Sequence, residues 1–131
     1  MIHLDTSFLI RAGVPGTPED RALRRWRRKQ EVVRISSVAW AEYLCGPLSI
    51  QAVESAAELL GEPAVFDALD ATVAARLFNI SGRRRGTLPD CMIAAIAMND
   101  SAALATSNRE DFERLTGRPA SRFGVLTIAH G

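Results

Sequence analysis

Cysteine is scarce in this chain: its 131 residues include two, Cys45 and Cys91, far apart and each in apolar surroundings. That excludes the Cys/His clustering of a zinc site and the density of a disulfide-stapled scaffold, and predicts two reduced core residues. Long hydrophobic runs are missing too, since charge or proline interrupts each one well short of a bilayer span. Residues 1–20 lack the basic, then apolar, then small-residue layout of an export signal, so a cytoplasmic protein without membrane contact is expected. Charge of one sign is also lacking: 16 basic residues against 15 acidic ones leave a net charge of +1, which by itself points to no partner. There is no internal repeat and no low-complexity tract.

What is present is an ordinary globular composition, 47% apolar and 24% charged, which argues against a disordered or fibrous chain. A chain of this length buries one substantial core, so a single domain over 1–131 is expected. Residues 2–4 are apolar and too few for a helix before Asp5-Thr6-Ser7, predicting a buried first strand with Asp5 at its C-terminal end and a short helix from about Ser7. Thr17-Pro18-Glu19-Asp20 supplies an N-cap hydroxyl, a proline at the first helical position and first-turn acids. The helix it starts should reach about Gln30, with Ala22, Leu23 and Trp26 inward and the arginines in solvent. The β-branched run at 32–38 predicts a second strand, and 39–44 a helix stopped by Gly46-Pro47.

Two amphipathic helices follow. Ile50, Val53, Ala57 and Leu60 form the expected inward stripe of one, and Phe66, Leu69, Val73, Leu77 and Ile80 that of the other. Pro89 and Asp90 begin a helix that is small and apolar nearly all round, hence buried. A strand at 103–106, a brief helix ending at Gly117 and a last strand near 124–128 complete the pattern. Strands alternating with helices predict a three-layer α/β/α fold on a short, mainly parallel central sheet, whose sites gather outside the C-terminal strand ends.

Asp5, Glu42, Asp90 and the turn from Asn108 to Asp111 all fall just after a predicted strand or near a helix start. They are far apart in sequence and expected to be close in space. Singly, each acid has an ordinary explanation: Asp5 as a helix cap, Glu42 as a solvated helix residue, Asp90 as a first-turn acid favoured by the helix dipole. Together, carboxylates converging without a Lys or His would repel one another unless a hard divalent cation lay between them. Oxygen ligands alone disfavour zinc and point to Mg²⁺ or Mn²⁺, ions that activate water for in-line attack on a phosphodiester.

The combination resembles a known family. "MIHLDTSFLI", "SSVAWAEYLCG", "LPDCMIAAIA" and "LATSNREDFERL" are similar to the four motif blocks of PIN-domain ribonucleases, in the same order and over nearly the whole chain, and the closer likeness is to VapC-type toxins of bacterial toxin–antitoxin pairs. The resemblance implies a metal-dependent endoribonuclease that uses Mg²⁺ or Mn²⁺ and forms a homodimer. It also implies a small cognate antitoxin lying in a groove near the site, with DNA reached only through that antitoxin. Asp5, Glu42 and Asp90 match the family's acids and would be metal ligands, directly or through water. The fourth position departs from the pattern: many relatives carry Asp where this chain has Asn108, while others place their last acid where Asp111 stands before Phe112. Asp111 is therefore given a supporting catalytic role.

Thr6, Ser7 and Thr106 offer hydroxyls for a carboxylate or a phosphate oxygen, or for turn formation. Arg83, Arg84 and Arg85 stand shortly before the Asp90 block and are weighed as contacts to substrate phosphates, whereas the basic run at 24–29 reads first as a solvated helix face. Trp26, Trp40, Tyr43 and Phe112 could stack on unpaired bases, with core packing the expectation for the two tryptophans. His3 and His130 show no partner pattern for acid–base work. Two other functions fit parts of the pattern. A catalytically inactive PIN-fold partner would act with its antitoxin in DNA-bound autoregulation, but the presence of all three principal acids argues against it. A phosphorylated receiver domain would need paired N-terminal acids and a late lysine, which are missing.

Overall fold

The structure, a computed structural model, describes residues 1–108, residue 110 and the strand at 125–127. Chain order is β1 (Ile2–Leu4), α1 (Thr6–Ala12), α2 (Pro18–Arg28), β2 (Val33–Ile35), α3 (Ser37–Leu44), α4 (Ile50–Leu60), α5 (Ala68–Ile80), α6 (Leu88–Asn99), β3 (Ala103–Thr106) and β4 (Val125–Thr127). The strands form one sheet in the order β2-β1-β3-β4, and every pairing is parallel, with Leu4 opposite Ile35 on one side and Ala105 on the other. All three residues of β1 are buried, which requires cover on both faces of the sheet and gives the three-layer arrangement expected of it. The predicted helix after Asn108, with Asp111, Phe112 and Gly117, and the C-terminal His130 lie outside the described residues.

Side-chain caps decide where most helices begin. Asp5, Thr17, Ser36, Ser49 and Asp67 each accept a backbone N–H from the first turn of the helix that follows, satisfying a donor that would otherwise be orphaned. Asp67 and Asp70 do so reciprocally, as a capping box. These caps shift several expected boundaries. Ser36 ends β2 early and starts α3 before residue 39, Asp67 leaves Phe66 outside α5, and α2 stops at Arg28 because Gln30 takes a positive φ of 59°.

The core is aliphatic and alanine-rich. Leu4, Phe8, Ile35, Cys91, Ile93 and Ala95 are sealed in it, and the small residues of α6 let that helix approach both β3 and α5 closely. Trp26 stacks on Phe8 and Trp40 on Tyr43, at centroid distances of 5.5 and 5.4 Å, so both tryptophans and the tyrosine are spent on packing. Two predicted stripes are rotated. On α4 the buried residues are Ala56 and Leu60, with Ile50 exposed; on α5 they are Asp70, Ala74 and Leu77, with Leu69 and Ile80 in solvent. Asp70 can face inward because it caps its own helix and accepts a 2.7 Å hydrogen bond from Asn99 of α6, which satisfies a carboxylate that periodicity alone assigns to the outside. Cys45 is another correction: it caps the end of α3 and is exposed, whereas Cys91 is buried, with its thiol pushed up to about 11 by desolvation and by the charge of Asp90.

His3, in the middle of β1, is buried and joined through Nε2 to Asp100 Oδ2 at 2.7 Å, with Arg34 reaching the same oxygen at 3.5 Å. Burial lowers the imidazole's pKa, and the bond to Asp100 opposes that only in part. Below the ordinary value of about 6.5 the unfolded chain therefore binds a proton that the native state resists, so stability is complete above that pH and is lost as pH falls through the window down to the lowered value. Urea melts between pH 7.5 and 5.5 should show this decline in the wild type and a flatter profile in His3→Gln; equal slopes would remove His3 from the pH dependence.

Candidate functional site

Parallel strands end at one edge, and in the order β2-β1-β3-β4 the chain's path reverses between β1 and β3, the place where such sheets open a crevice at their C-terminal ends. Asp5 follows β1 and Asn108 follows β3, so the switch point brings both ends of the chain's pattern together. A cleft of about 250 Å³ opens there, lined by Asp5, Thr6, Ser7, Ile10, Glu42, Asp90 and Asn108. Three carboxylates from α3, α6 and the end of β1 thus share one concavity, and none of its described lining residues is basic.

Asp5 is 5% exposed and has two duties. Its Oδ1 accepts the Phe8 backbone N–H at 2.8 Å, capping α1, and the Ser7 hydroxyl at 2.9 Å. Burial pushes its carboxyl pKa up; hydrogen bonds from Thr106, Phe8 and Ser7 pull the other way, and the charge of Glu42 adds to the rise. The cap reading of Asp5 and the site reading are therefore compatible. Glu42 lies on the exposed side of α3 and its Oε1 accepts the Thr6 hydroxyl at 2.8 Å. Asp90 stands in the first turn of α6, where the helix dipole favours a negative charge. Thr106 accepts the Asn108 N–H at 3.0 Å and so folds the segment after β3 toward the cleft.

Thr6, Ser7 and Thr106 accordingly serve the carboxylates. Arg83, Arg84 and Arg85 are exposed in loop 81–87, shortly before α6, and none of them lines the cleft; Arg83 takes a positive φ of 54° and donates to Asn79 Oδ1 at 3.1 Å. Asp111 lies outside the described residues. Two residues escaped the sequence reading: Ile10, whose exposed side chain forms an apolar wall of the cleft, and Glu19, whose position in a Pro-Glu-Asp helix start hid the fact that it is wholly buried. Among the described residues no three acidic, histidine or cysteine side chains are gathered closely enough to grip an ion. The donor chemistry nonetheless suits a hard cation, because carboxylate, hydroxyl and amide oxygens face a space around a carboxylate whose burial is uncompensated by any basic residue among the described lining.

Parallel sheet, switch-point crevice and acidic lining define an α/β protein with a carboxylate site. The chain belongs to the PIN-domain family, which matches it over residues 2–118. No curated protein matches it in sequence. Among solved structures it is similar to VapBC2 from Rickettsia felis bound to a DNA fragment from their promoter, with 22% identity, a TM-score of 0.75 and coverage of 98% of this chain and 100% of that one. A toxin–antitoxin complex from Klebsiella pneumoniae matches with 23% identity and a TM-score of 0.75 over 100% of both chains. FitAcB from Neisseria gonorrhoeae matches with 20% identity and a TM-score of 0.69 over 97% of each. At these identities the likeness establishes the shared fold.

Replacing Asp5 by Asn keeps the capping oxygen for Phe8 and Ser7 while removing a buried charge. The variant should melt a few degrees higher than wild type at pH 7 without added metal, the scale of ~1 kcal/mol for a domain of this size. A lower melting temperature would mean that the charge itself, and not the oxygen, holds the turn.

Proposed function

We propose that this chain is a metal-dependent endoribonuclease of the VapC toxin type, acting as a single domain and restrained by a small antitoxin protein. The observation that carries the reading is the cleft itself: Asp5, Glu42 and Asp90, brought from three elements to the switch point of a PIN-domain sheet. Asp5, Glu42 and Asp90 would hold Mg²⁺ or Mn²⁺, with Asn108 beside them and Asp111 in a supporting role. Such an ion supplies charge for the scissile phosphate and activates water for in-line attack. The chain's own residues do the remaining work. Thr6 fixes the Glu42 carboxylate, Ser7 and Thr106 fix that of Asp5, and Ile10 gives the cleft an apolar wall.

Two further features support the partner side of this reading. A second groove of about 460 Å³ runs between α1, α2, α3 and α4, floored by Leu9, Leu23, Tyr43 and Leu59 and edged by Arg27 and by Arg24, the latter paired with Asp20 at 3.0 Å. Its apolar floor, with Arg27 in excess at the edge, suits an amphipathic segment of an antitoxin carrying an acidic residue. Exposed Leu69 and Ile80 on α5 offer apolar surface for a homodimer. The similar Rickettsia felis VapBC2 is bound to promoter DNA and the Klebsiella pneumoniae structure is a toxin–antitoxin complex, which supports DNA contact through an antitoxin here. Among the described residues no helix is long and apolar enough to cross a membrane, in keeping with a cytoplasmic site of action.

Purified protein with Mn²⁺ should cleave single-stranded RNA, while Asp5→Asn and Asp90→Asn should each lose roughly 100-fold or more in rate and keep wild-type circular dichroism. Mn²⁺ should also raise the wild-type melting temperature by mass action and do so less in either variant. Undiminished cleavage by both variants would remove Asp5 and Asp90 from the mechanism, and no cleavage by the wild type would end the nuclease reading and leave a binding role in its place.

Arg83, Arg84 and Arg85 stand at the entrance to α6 and are proposed to meet the RNA backbone outside the cleft. Their joint replacement by Gln should weaken RNA binding and reduce the slope of log affinity on log salt by roughly 0.7 for each phosphate no longer neutralised, as expected for single strands. An unchanged slope would withdraw loop 81–87 from the substrate path.

A further inference from the structure

Glu19 is the one acid of α2 that is sealed completely from solvent. Its place near the start of the helix does not require this, since the Thr17 cap and partly buried Asp20, which accepts the Gly16 N–H at 3.0 Å, already serve the helix start. A buried carboxylate is expensive to desolvate, and this one is held from two directions. Its Oε1 accepts both Arg11 Nε at 3.1 Å and the Ser107 hydroxyl at 2.9 Å.

Those two donors belong to two different segments that line the cleft. Arg11 lies on α1, the helix that contributes Thr6, Ser7 and Ile10; Ser107 lies on the segment that leaves β3 and contributes Asn108. Successive side chains of an extended segment point to opposite sides, and here Thr106 serves Asp5 while its neighbour Ser107 serves Glu19. The chain after β3 is thereby pinned from both sides just before Asn108, whose own N–H closes on Thr106 Oγ1.

We propose that Glu19 is a positioning residue for the cleft: a single buried carboxylate oxygen that clamps α1 to the segment after β3 and so fixes Asn108 against the wall carrying Asp5. The clamp rests on the nuclease reading for its catalytic consequence, but its geometric part stands apart from that reading. A side chain remote from the reacting groups thus sets the position of Asn108 through Ser107, as supporting residues around metal ligands commonly do.

The test compares Ser107→Ala, Glu19→Ala and their double variant with Glu19→Gln, which keeps an acceptor oxygen for Ser107 while giving up the charge opposite Arg11. Ser107→Ala and Glu19→Ala should each lower kcat on single-stranded RNA and weaken Mn²⁺ binding, measured by calorimetry, by about tenfold, with KM unchanged. The double variant should be no worse than the more damaged single one, because both changes remove the same link. Glu19→Gln should be intermediate. Amide exchange at Asn108 should quicken in Ser107→Ala, a mild substitution that keeps the fold even where Glu19→Ala does not.

Variants that melt earlier but keep wild-type kcat, Mn²⁺ affinity and Asn108 exchange would overturn the proposal, and so would additive losses in the double variant. If the wild type neither cleaves RNA nor takes up Mn²⁺, the nuclease reading fails, and exchange at Asn108 decides the clamp alone: faster exchange in Ser107→Ala supports it, and an unchanged rate sinks it.

Discussion

A carboxylate buried at the C-terminal end of the central strand sets the terms for everything around it. Asp5 cannot be stable there without donors, and the structure supplies them from three places: the first turn of its own helix, a hydroxyl two positions along the chain, and Thr106 at the end of the neighbouring strand. The same requirement registers the cleft. Because β1 pairs in parallel with both β2 and β3, satisfying Asp5 from Thr106 fixes where the chain leaves β3, and with it the position of Asn108. What those donors leave is a carboxyl whose charge is still disfavoured by burial, in a cleft that it shares with two more carboxylates.

The sheet and its helices divide the labour. Alanine-rich α6 packs closely enough to carry Asp90 to the cleft at its first turn, while Asp100 at its far end meets His3 of the central strand. One helix thus ties a site residue at one end to a buried polar pair at the other. Helices α1 and α2 are bound to each other by Arg11 and Glu19 and by the hydroxyl of Thr17, which donates to the Arg11 carbonyl. That corner separates the acidic cleft from the apolar groove edged by Arg24 and Arg27.

Much of this was legible in the chain. The apolar triplet before Asp5 announces β1, the hydroxyl and acid signals of Thr17, Glu19 and Asp20 mark a helix start, Pro89 with Asp90 marks another, and the four motif blocks point to the family and to the acids that share the cleft. The departure on α5 has an identifiable cause. Helical periodicity places Leu69 and Ile80 inside and Asp70 outside, and Ile50 inside α4; on α5 it fails where a long-range partner, Asn99 for Asp70, changes which face can be buried.

Sequence alone determined what is local or periodic: strand and helix order, the Thr17 cap and a parallel α/β class, because these follow from side-chain stereochemistry and short-range hydrogen bonding, while the family resemblance pointed to the acids. Only the tertiary structure decided how the charges are compensated. That Glu19 is sealed between Arg11 and Ser107, that His3 meets Asp100, and that Thr6 holds Glu42 all depend on hydrogen bonds spanning 8, 88, 97 and 36 positions of chain. Such partners leave no periodic trace, since a donor can be supplied by any residue that the fold brings within hydrogen-bond reach.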